Sequence, residues 1–282
     1  MSLNNGRQYL AIPGPSVMPD RVLAAMHRPA PNIYEGPLHD MVDTILADLK
    51  VVARTKGHAA IYIGNGHAAW EAALVNSLSR GDKVLVPATG AFGLGWADAA
   101  RGLGIDIQML DFGRERDIDL SAVEAALRQD KDHKIKAVLA THVDTASAVR
   151  NDIAALRNLI DLCGHPALLM VDCIASLACD PFEMDAWGVD VMIAASQKGL
   201  MTPPGLAFVW FNDKANHAHK SAGLVTPYWN WTDRCFGTRF SQKFDGTAPT
   251  HHLFGLREAL NMLLHEEGMD AVFARHQKLA SA

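Results

Sequence analysis

Three short stretches of this chain carry residues that could do chemistry. Lys198 stands just past the apolar run Val189-Asp190-Val191-Met192-Ile193, within Ser196-Gln197-Lys198-Gly199. Pro203-Pro204-Gly205 then forces a turn before a second apolar run, Leu206 to Phe211. A lysine is costly to bury unpaired, so this amine either swings out to water or is chemically committed. Asp172 ends the run Pro166-Ala167-Leu168-Leu169-Met170-Val171. A carboxylate there needs a cationic or donor partner, and bonding loop N–H groups or capping a helix would satisfy it equally. Gly64-Asn65-Gly66-His67 opens a helix, where free N–H groups and the helix dipole make a phosphate site. Ala69 replaces the third glycine of a dinucleotide fingerprint, and no Gly-Lys-Ser/Thr follows. A simple tight turn with Asn65 in the left-handed conformation explains this stretch as well.

Each of these stretches follows a strand. Apolar patterning predicts strands over Ala59–Ile63, Lys83–Pro87, Ile105–Leu110, Lys136–Thr141 and Ala167–Val171, with two more flanking Lys198. Helices are predicted between them over His67–Leu78, Leu94–Leu103, Leu120–Arg128 and Asp152–Cys163. Such alternation means right-handed crossovers and an α/β fold, a mostly parallel seven-stranded sheet sandwiched by helices. A short helix over Arg21–Met26 and an amphipathic helix over Leu38–Thr55 are predicted before it. Residues 217–250 look irregular and partly exposed, and helical patterns return at Leu253–Leu264 and Phe273–Leu279.

Ligands of open parallel sheets sit beyond the carboxyl ends of the strands. There the loops offer Gly64 to His67, Phe92, Thr145 with Ser147, Asp172, and Gln197 with Lys198. Singly each has a plain alternative: Phe92 as a core ring, the hydroxyls as loop residues. Together a phosphate cradle, a flat ring, a carboxylate and an amine are the equipment for pyridoxal phosphate. No metal site is expected. His142 has no partner at ligand spacing, and His217 with His219, like His251 with His252, reads as a pair of solvated surface histidines.

The chain has 282 residues, 49% hydrophobic and 20% charged, with a formal net charge of −5. That balance suggests neither a nucleic acid nor an anionic membrane as partner. No apolar run reaches the roughly 18 residues a membrane-spanning helix needs. No secretory leader is visible, and Cys163, Cys173, Cys179 and Cys235 form no CxxC pair, so a reducing, cytoplasmic setting is expected.

Ser196-Gln197-Lys198-Gly199-Leu200 with Pro203-Pro204-Gly205-Leu206 resembles the lysine segment of the class V aminotransferases. Gly64-Asn65-Gly66-His67 with Glu71-Ala72-Ala73-Leu74, Thr141-His142 with Val149, Leu169–Asp172 with Ser176, and Phe254–Leu260 are similar to its other motifs. Met184-Asp185-Ala186-Trp187-Gly188-Val189-Asp190 resembles the serine–glyoxylate and alanine–glyoxylate group especially. The resemblance spans about residues 9–280.

It implies the large domain of a fold-type-I pyridoxal phosphate enzyme and a homodimer with shared sites. Residues 1–20 would be an N-terminal extended segment (residues 1–8 a flexible leader), 21–250 the cofactor-binding large domain, and 251–282 a connecting helix. That helix would lead toward a small C-terminal domain, bearing the substrate-carboxylate arginine, that this sequence does not contain. Lys198 would be the Schiff-base lysine and proton carrier, and Asp172 the partner of the pyridinium nitrogen. Asn65, Gly66, His67 and Gln197 would hold the phosphate. Phe92 would stack on the ring with Ile174 on its other face, and Thr145 would bond the ring hydroxyl. Thr247 would reach the phosphate of the neighbouring subunit, and Phe244 stands where a tyrosine is common. The implied reaction moves an amino group from serine or alanine to glyoxylate, giving glycine by a ping-pong route. The alternatives are a desulfurase or lyase, for which Cys235 would be the reactive thiol, a truncated cofactor binder without turnover, and a nucleotide-binding enzyme.

Overall fold

The structure, a computed structural model, describes residues 10–282, so the leader expected over 1–8 lies outside the described residues. Helices α1 (Asp20–Met26) and α2 (Pro37–Ala53) precede strand β1 (His58–Gly64). Then α3 (Gly66–Val75), β2 (Lys83–Ala88), α4 (Ala91–Gly102), β3 (Asp106–Asp111), α5 (Leu120–Gln129), β4 (Ile135–Thr141), α6 (Ile153–Leu162) and β5 (Leu168–Asp172) alternate. Strands β6 (Val191–Ala195) and β7 (Gly205–Phe211) complete a seven-stranded sheet of order β1-β7-β6-β5-β4-β2-β3.

Strands β2 to β6 pair in parallel, whereas β7 runs antiparallel to both β6 and β1. The reason is the link at residues 196–204, far shorter than the dozen or more residues a parallel crossover needs. One consequence matters for function. The carboxyl ends of β1, β2, β4, β5 and β6, and the start of β7, all meet at one edge of the sheet.

Side chains alternate across the sheet, which divides the core in two. Ile61, Leu85, Val138, Leu169, Met192 and Trp210 pack with α2, α5, α6 and α9 (Thr250–Leu260). Tyr62, Val84, Leu139, Met170, Ile193 and Val209 pack with α3 and α4 on the other face. Local signals fix the helix starts: Asn65 Oδ1 accepts the N–H of His67 and Ala68, Asp119 that of Ser121 and Ala122, and Asp152 that of Ala155.

Residues 217–250 are more ordered than the sequence suggests. They include the end of α7 (Asp213–His219), α8 (Trp231–Phe236) and two short 3₁₀ turns, with Trp231 and Arg234 buried. Asn212 and Asn230 cap the two helices, and that local signal was there to be read. Three of the four paired histidines are also less solvated than expected. His219 Nδ1 lies 2.9 Å from Asn76 O, His251 Nε2 3.0 Å from Arg28 O, and His252 Nε2 3.2 Å from Pro204 O. After α9 the chain takes one π-helical stretch, Asn261–Glu267, and ends in α10 (Met269–Ala280), whose Val272 joins the α2-side core. No helix among the described residues is long and apolar enough to cross a membrane, and all four cysteines are free thiols.

Candidate active site

At the carboxyl edge of the sheet lies a cavity of about 270 Å³. Asp172, Lys198, Gln197, Phe92, Thr145, Ile174, Asn65, Gly66 and His67 all line it, so nine of the ten residues singled out converge. They come from the loops after five strands, β1, β2, β4, β5 and β6, and in the register of the sheet Thr141 sits beside Asp172, and Asp172 beside Ile193.

Asp172 is 2% exposed. Its Oδ2 accepts the indole N–H of Trp70 at 2.7 Å and its Oδ1 the backbone N–H of Ile174 at 2.7 Å. Both expected kinds of partner are therefore combined in one residue, a loop N–H and a side-chain donor. Burial pushes its pKa up to about 6, against the pull of those two donors and of Lys198, with Asp144 adding to the rise.

Lys198 is half-buried, and its Nζ donates to the carbonyl of Pro13 at 2.8 Å. Desolvation lowers its pKa below the ordinary lysine value, which Asp172 partly counters. The backbone carrying it is clasped from both sides. Ser16 donates its N–H to Gln197 O at 2.8 Å and its hydroxyl to Lys198 O at 3.0 Å. Ser196 Oγ donates to Pro203 O at 2.7 Å, and Thr202 Oγ1 to Ser196 O at 3.0 Å. The loop is therefore held in place, and its lysine amine is bonded within the chain.

The glycine turn is a true helix start. Asn65 is extended, at φ −113° and ψ −168°, rather than left-handed, and its Oδ1 accepts the N–H groups of His67 at 3.1 Å and Ala68 at 3.4 Å. Gly66 packs closely under Ile174, and a Cβ there would stand 2.4 Å from Ile174 Cδ1, so that side chain would have to shift. Phe92 is half-buried on the cavity wall at the start of α4 rather than sunk in the core. Gln197 Oε1 is buried with no hydrogen-bond partner among the described residues.

Thr247 does not join this group within one chain. It lines a different cavity with Tyr34, His39 and Arg239. Phe244 is fully buried in the α2-side core, with its ring edge toward Phe240 at 5.7 Å. His142 is buried, its Nδ1 2.9 Å from Ser176 Oγ, and burial lowers its pKa to about 4. No cluster able to hold a metal exists among the described residues. Cys235 lies away from the cavity; its thiol donates to Ala59 O at 3.4 Å, and burial pushes its pKa up to about 12. That environment is the reverse of what a reactive thiolate needs.

Two features escaped sequence reasoning. Asp144, 0% exposed, accepts the N–H of Phe92 at 2.8 Å and Gly93 at 3.2 Å through Oδ2, and the N–H of Ala146 at 2.9 Å through Oδ1. It caps α4, whose own N-cap residue, Gly90, has no side chain to do so. Gly14 and Pro15 roof the cavity from the N-terminal segment. The sequence signal for both was faint: an acid among hydroxyl residues, and a proline-glycine turn far from Lys198.

The sequence profile of the family Aminotransferase class-V matches residues 9–282. The chain belongs to the class V aminotransferases. Among the relatives of this class V aminotransferase, the serine–glyoxylate aminotransferase of Methylorubrum extorquens is 39% identical over 98% of this chain and 70% of its own length. The L-aspartate–glyoxylate aminotransferase of Paracoccus denitrificans is 36% identical over 96% of this chain and 68% of its own. The crystal structure of an alanine–glyoxylate aminotransferase from Nostoc sp. superposes with a TM-score of 0.87 at 27% identity, covering all (100%) of this chain and 76% of that one.

Membership in the class V aminotransferases implies pyridoxal phosphate, and the cavity fits it. The fit rests on a lysine of lowered pKa, a buried carboxylate, the start of a helix, an aromatic ring, an aliphatic side chain, and a glutamine amide whose oxygen has no partner.

Proposed function

We propose that this class V aminotransferase transfers an amino group from a small amino acid, serine or alanine, to glyoxylate, using pyridoxal phosphate held in the Lys198 cavity. The observation that carries this reading is the convergence of the Lys198 amine and the buried Asp172 carboxylate on one cavity. The donor and acceptor rest on the relatives, whose names share glyoxylate while the donor differs.

Pyridoxal phosphate, when bound, supplies an aldehyde that condenses with amines and a ring that takes up the electron pair released at the substrate Cα. The residues do the rest. Lys198 anchors the cofactor; its lowered pKa keeps a larger share of the amine neutral and nucleophilic. Displaced by substrate, the Lys198 Nζ accepts the Cα proton and later returns one. Asp172 holds the ring nitrogen protonated. Asn65, Gly66, His67 and Gln197 would hold the phosphate, Phe92 and Ile174 would pack against the ring, and Thr145 would bond its hydroxyl. Pro13 holds the amine at rest through its carbonyl, with Gly14 close beside it.

Thr247 would complete the phosphate site of a neighbouring copy, which makes the working unit a homodimer with shared sites. The free cysteines favour a reducing compartment, the cytoplasm. Residues 21–250 form the cofactor-binding domain of this reading, with residues 1–20 leading in and 251–282 leading out.

The test is spectroscopic. The purified chain with pyridoxal phosphate shows the visible band of a lysine-bound cofactor, and Lys198→Ala abolishes it. Serine or alanine then bleaches that band and glyoxylate restores it. A band that survives Lys198→Ala refutes the assignment of the lysine. A holoenzyme that no amino acid bleaches is a cofactor binder without turnover.

A further inference from the structure

Trp70 has no role in the proposed reaction, yet it meets three residues of the cavity, Asp172, His67 and Phe92. It is 1% exposed, and its indole N–H donates to Asp172 Oδ2 at 2.7 Å. Its direction is fixed by packing on several sides. Trp96 lies parallel at 6.3 Å and 15°, and His67 at 4.4 Å and 59°. The Phe92 ring meets it edge-on at 6.3 Å and 66°. A Cβ on Gly95 would stand 3.2 Å from Trp70 Cη2. So the donor has no room to swing away, and without Asp172 it would be a buried N–H lacking a partner. Bonds to an ionised acceptor are roughly twice as strong as neutral ones.

We propose that Trp70 is a positioning residue: its indole N–H holds the Asp172 carboxylate ionised and fixed in place for the cofactor's ring nitrogen. The inference rests on the proposed function for what Asp172 faces, though the Trp70–Asp172 bond itself does not. The second oxygen is held by the Ile174 N–H, a backbone donor that no side-chain change can supply or remove. Lys198 bonds Pro13 instead and acts on Asp172 only through space, favouring its charge. Asp144 opposes that charge, and the Cys173 thiol next in sequence is itself pushed far up by burial. The indole is therefore the side-chain hydrogen bond that keeps this carboxylate charged. Through His67 and Phe92 the same ring also ties the phosphate cradle to the stacking face.

The test compares Trp70→Phe with Trp96→Phe in the full chain. Trp96 is equally buried but its Nε1 has no partner among the described residues, so the second variant removes a similar indole without a bond to Asp172. Carboxyl ¹³C NMR of the aspartate-labelled, cofactor-free chain follows Asp172, its signal identified by loss in Asp172→Asn. Trp70→Phe should raise the Asp172 midpoint by about one pH unit, a tenfold change in its protonation equilibrium. It should also weaken pyridoxal phosphate binding about tenfold, while Trp96→Phe moves neither. In the unsubstituted chain the Trp70 indole proton should titrate with the Asp172 midpoint, a readout that needs no variant to fold. An indole signal flat across that midpoint, or a Trp70→Phe shift no larger than that of Trp96→Phe, overturns the proposal. An unsubstituted chain in which the two groups titrate together but which takes up no pyridoxal phosphate sinks the proposed function instead.

Discussion

Gly14 lies so close to Lys198 that a β-carbon on the glycine would stand 2.7 Å from Nζ and 2.8 Å from Cε. The carbonyl just before it, on Pro13, accepts the lysine's hydrogen bond. The stretch around Pro13 and Gly14 thus sets where the Lys198 amine rests, although it is separated from Lys198 by most of the chain.

Gly14→Ala should therefore act on the lysine more than on the fold. Gly14 has φ +151°, which an L side chain adopts only with strain, of order 1–3 kcal/mol. The lysine is the flexible partner and gives way. The expected outcome is a folded protein with a modestly lowered melting temperature, whose uptake of pyridoxal phosphate, followed by the visible band, is slowed about tenfold. Uptake at the unsubstituted rate would mean that the segment does not place the amine.

Asp172 makes a pH prediction for the cofactor-free chain. Its pKa is raised from 3.8 to about 6, so the folded state binds its proton more tightly than the unfolded state. The stabilising share is full below pH 3.8 and is lost as pH rises through about 6. Two pKa units correspond to at most about 3 kcal/mol. Asp172→Asn should flatten this fall, so that stability measured between pH 4 and pH 7 declines less than in the unsubstituted chain. An unchanged slope in denaturant titrations would contradict the raised pKa. With cofactor bound, the same variant should keep the lysine-bound band and lose amino transfer by orders of magnitude, because a neutral amide cannot hold the ring nitrogen protonated.

Asp144→Ala should cost more than a surface cap. It strips the acceptor from the N–H groups of Phe92, Gly93 and Ala146 in a buried setting. Caps contribute about 1 kcal/mol and a buried unsatisfied donor about 1–3 kcal/mol, so a loss of roughly 2–4 kcal/mol is expected by thermal or denaturant unfolding. Asp144→Asn keeps an acceptor oxygen and should recover part of it.

Cys235→Ser should leave amino transfer unchanged, because the thiol is hydrogen-bonded to Ala59 O, held protonated by burial, and remote from the Lys198 cavity. Mass spectrometry after incubation with cysteine should find no persulfide on it. A persulfide there would revive the desulfurase alternative.

The periodic core was legible because strand and helix periodicity are local properties. All seven strands can be read from apolar runs, and α3 to α6 from helical spacing, with ends differing by a few residues. Helices α7 and α8 were not, because helices of seven and six residues have too few turns to show a period. Their asparagine caps were the readable signal. Lys198, Asp172 and the Gly64–His67 turn were found because each ends a strand, and strand ends of a parallel sheet collect at one edge.

Residue types and their order along the chain determined the fold class, the sheet edge that carries the site, and the family motifs around Lys198. What they could not determine is contact between residues far apart in sequence. Trp70 reads as one more apolar position on α3, yet the path of that helix across the sheet brings its N–H to Asp172. Asp144 reads as a loop acid, yet it caps a helix that begins at Ala91. The cavity residues were separate candidates until the packing of the sheet, α3, α4 and the stretch at Gly14 and Pro15 brought them together around Lys198. Such donors and acceptors meet only after the sheet has brought their strands side by side, because a hydrogen bond needs its two atoms within about 3 Å and sequence spacing fixes that distance only within a few residues.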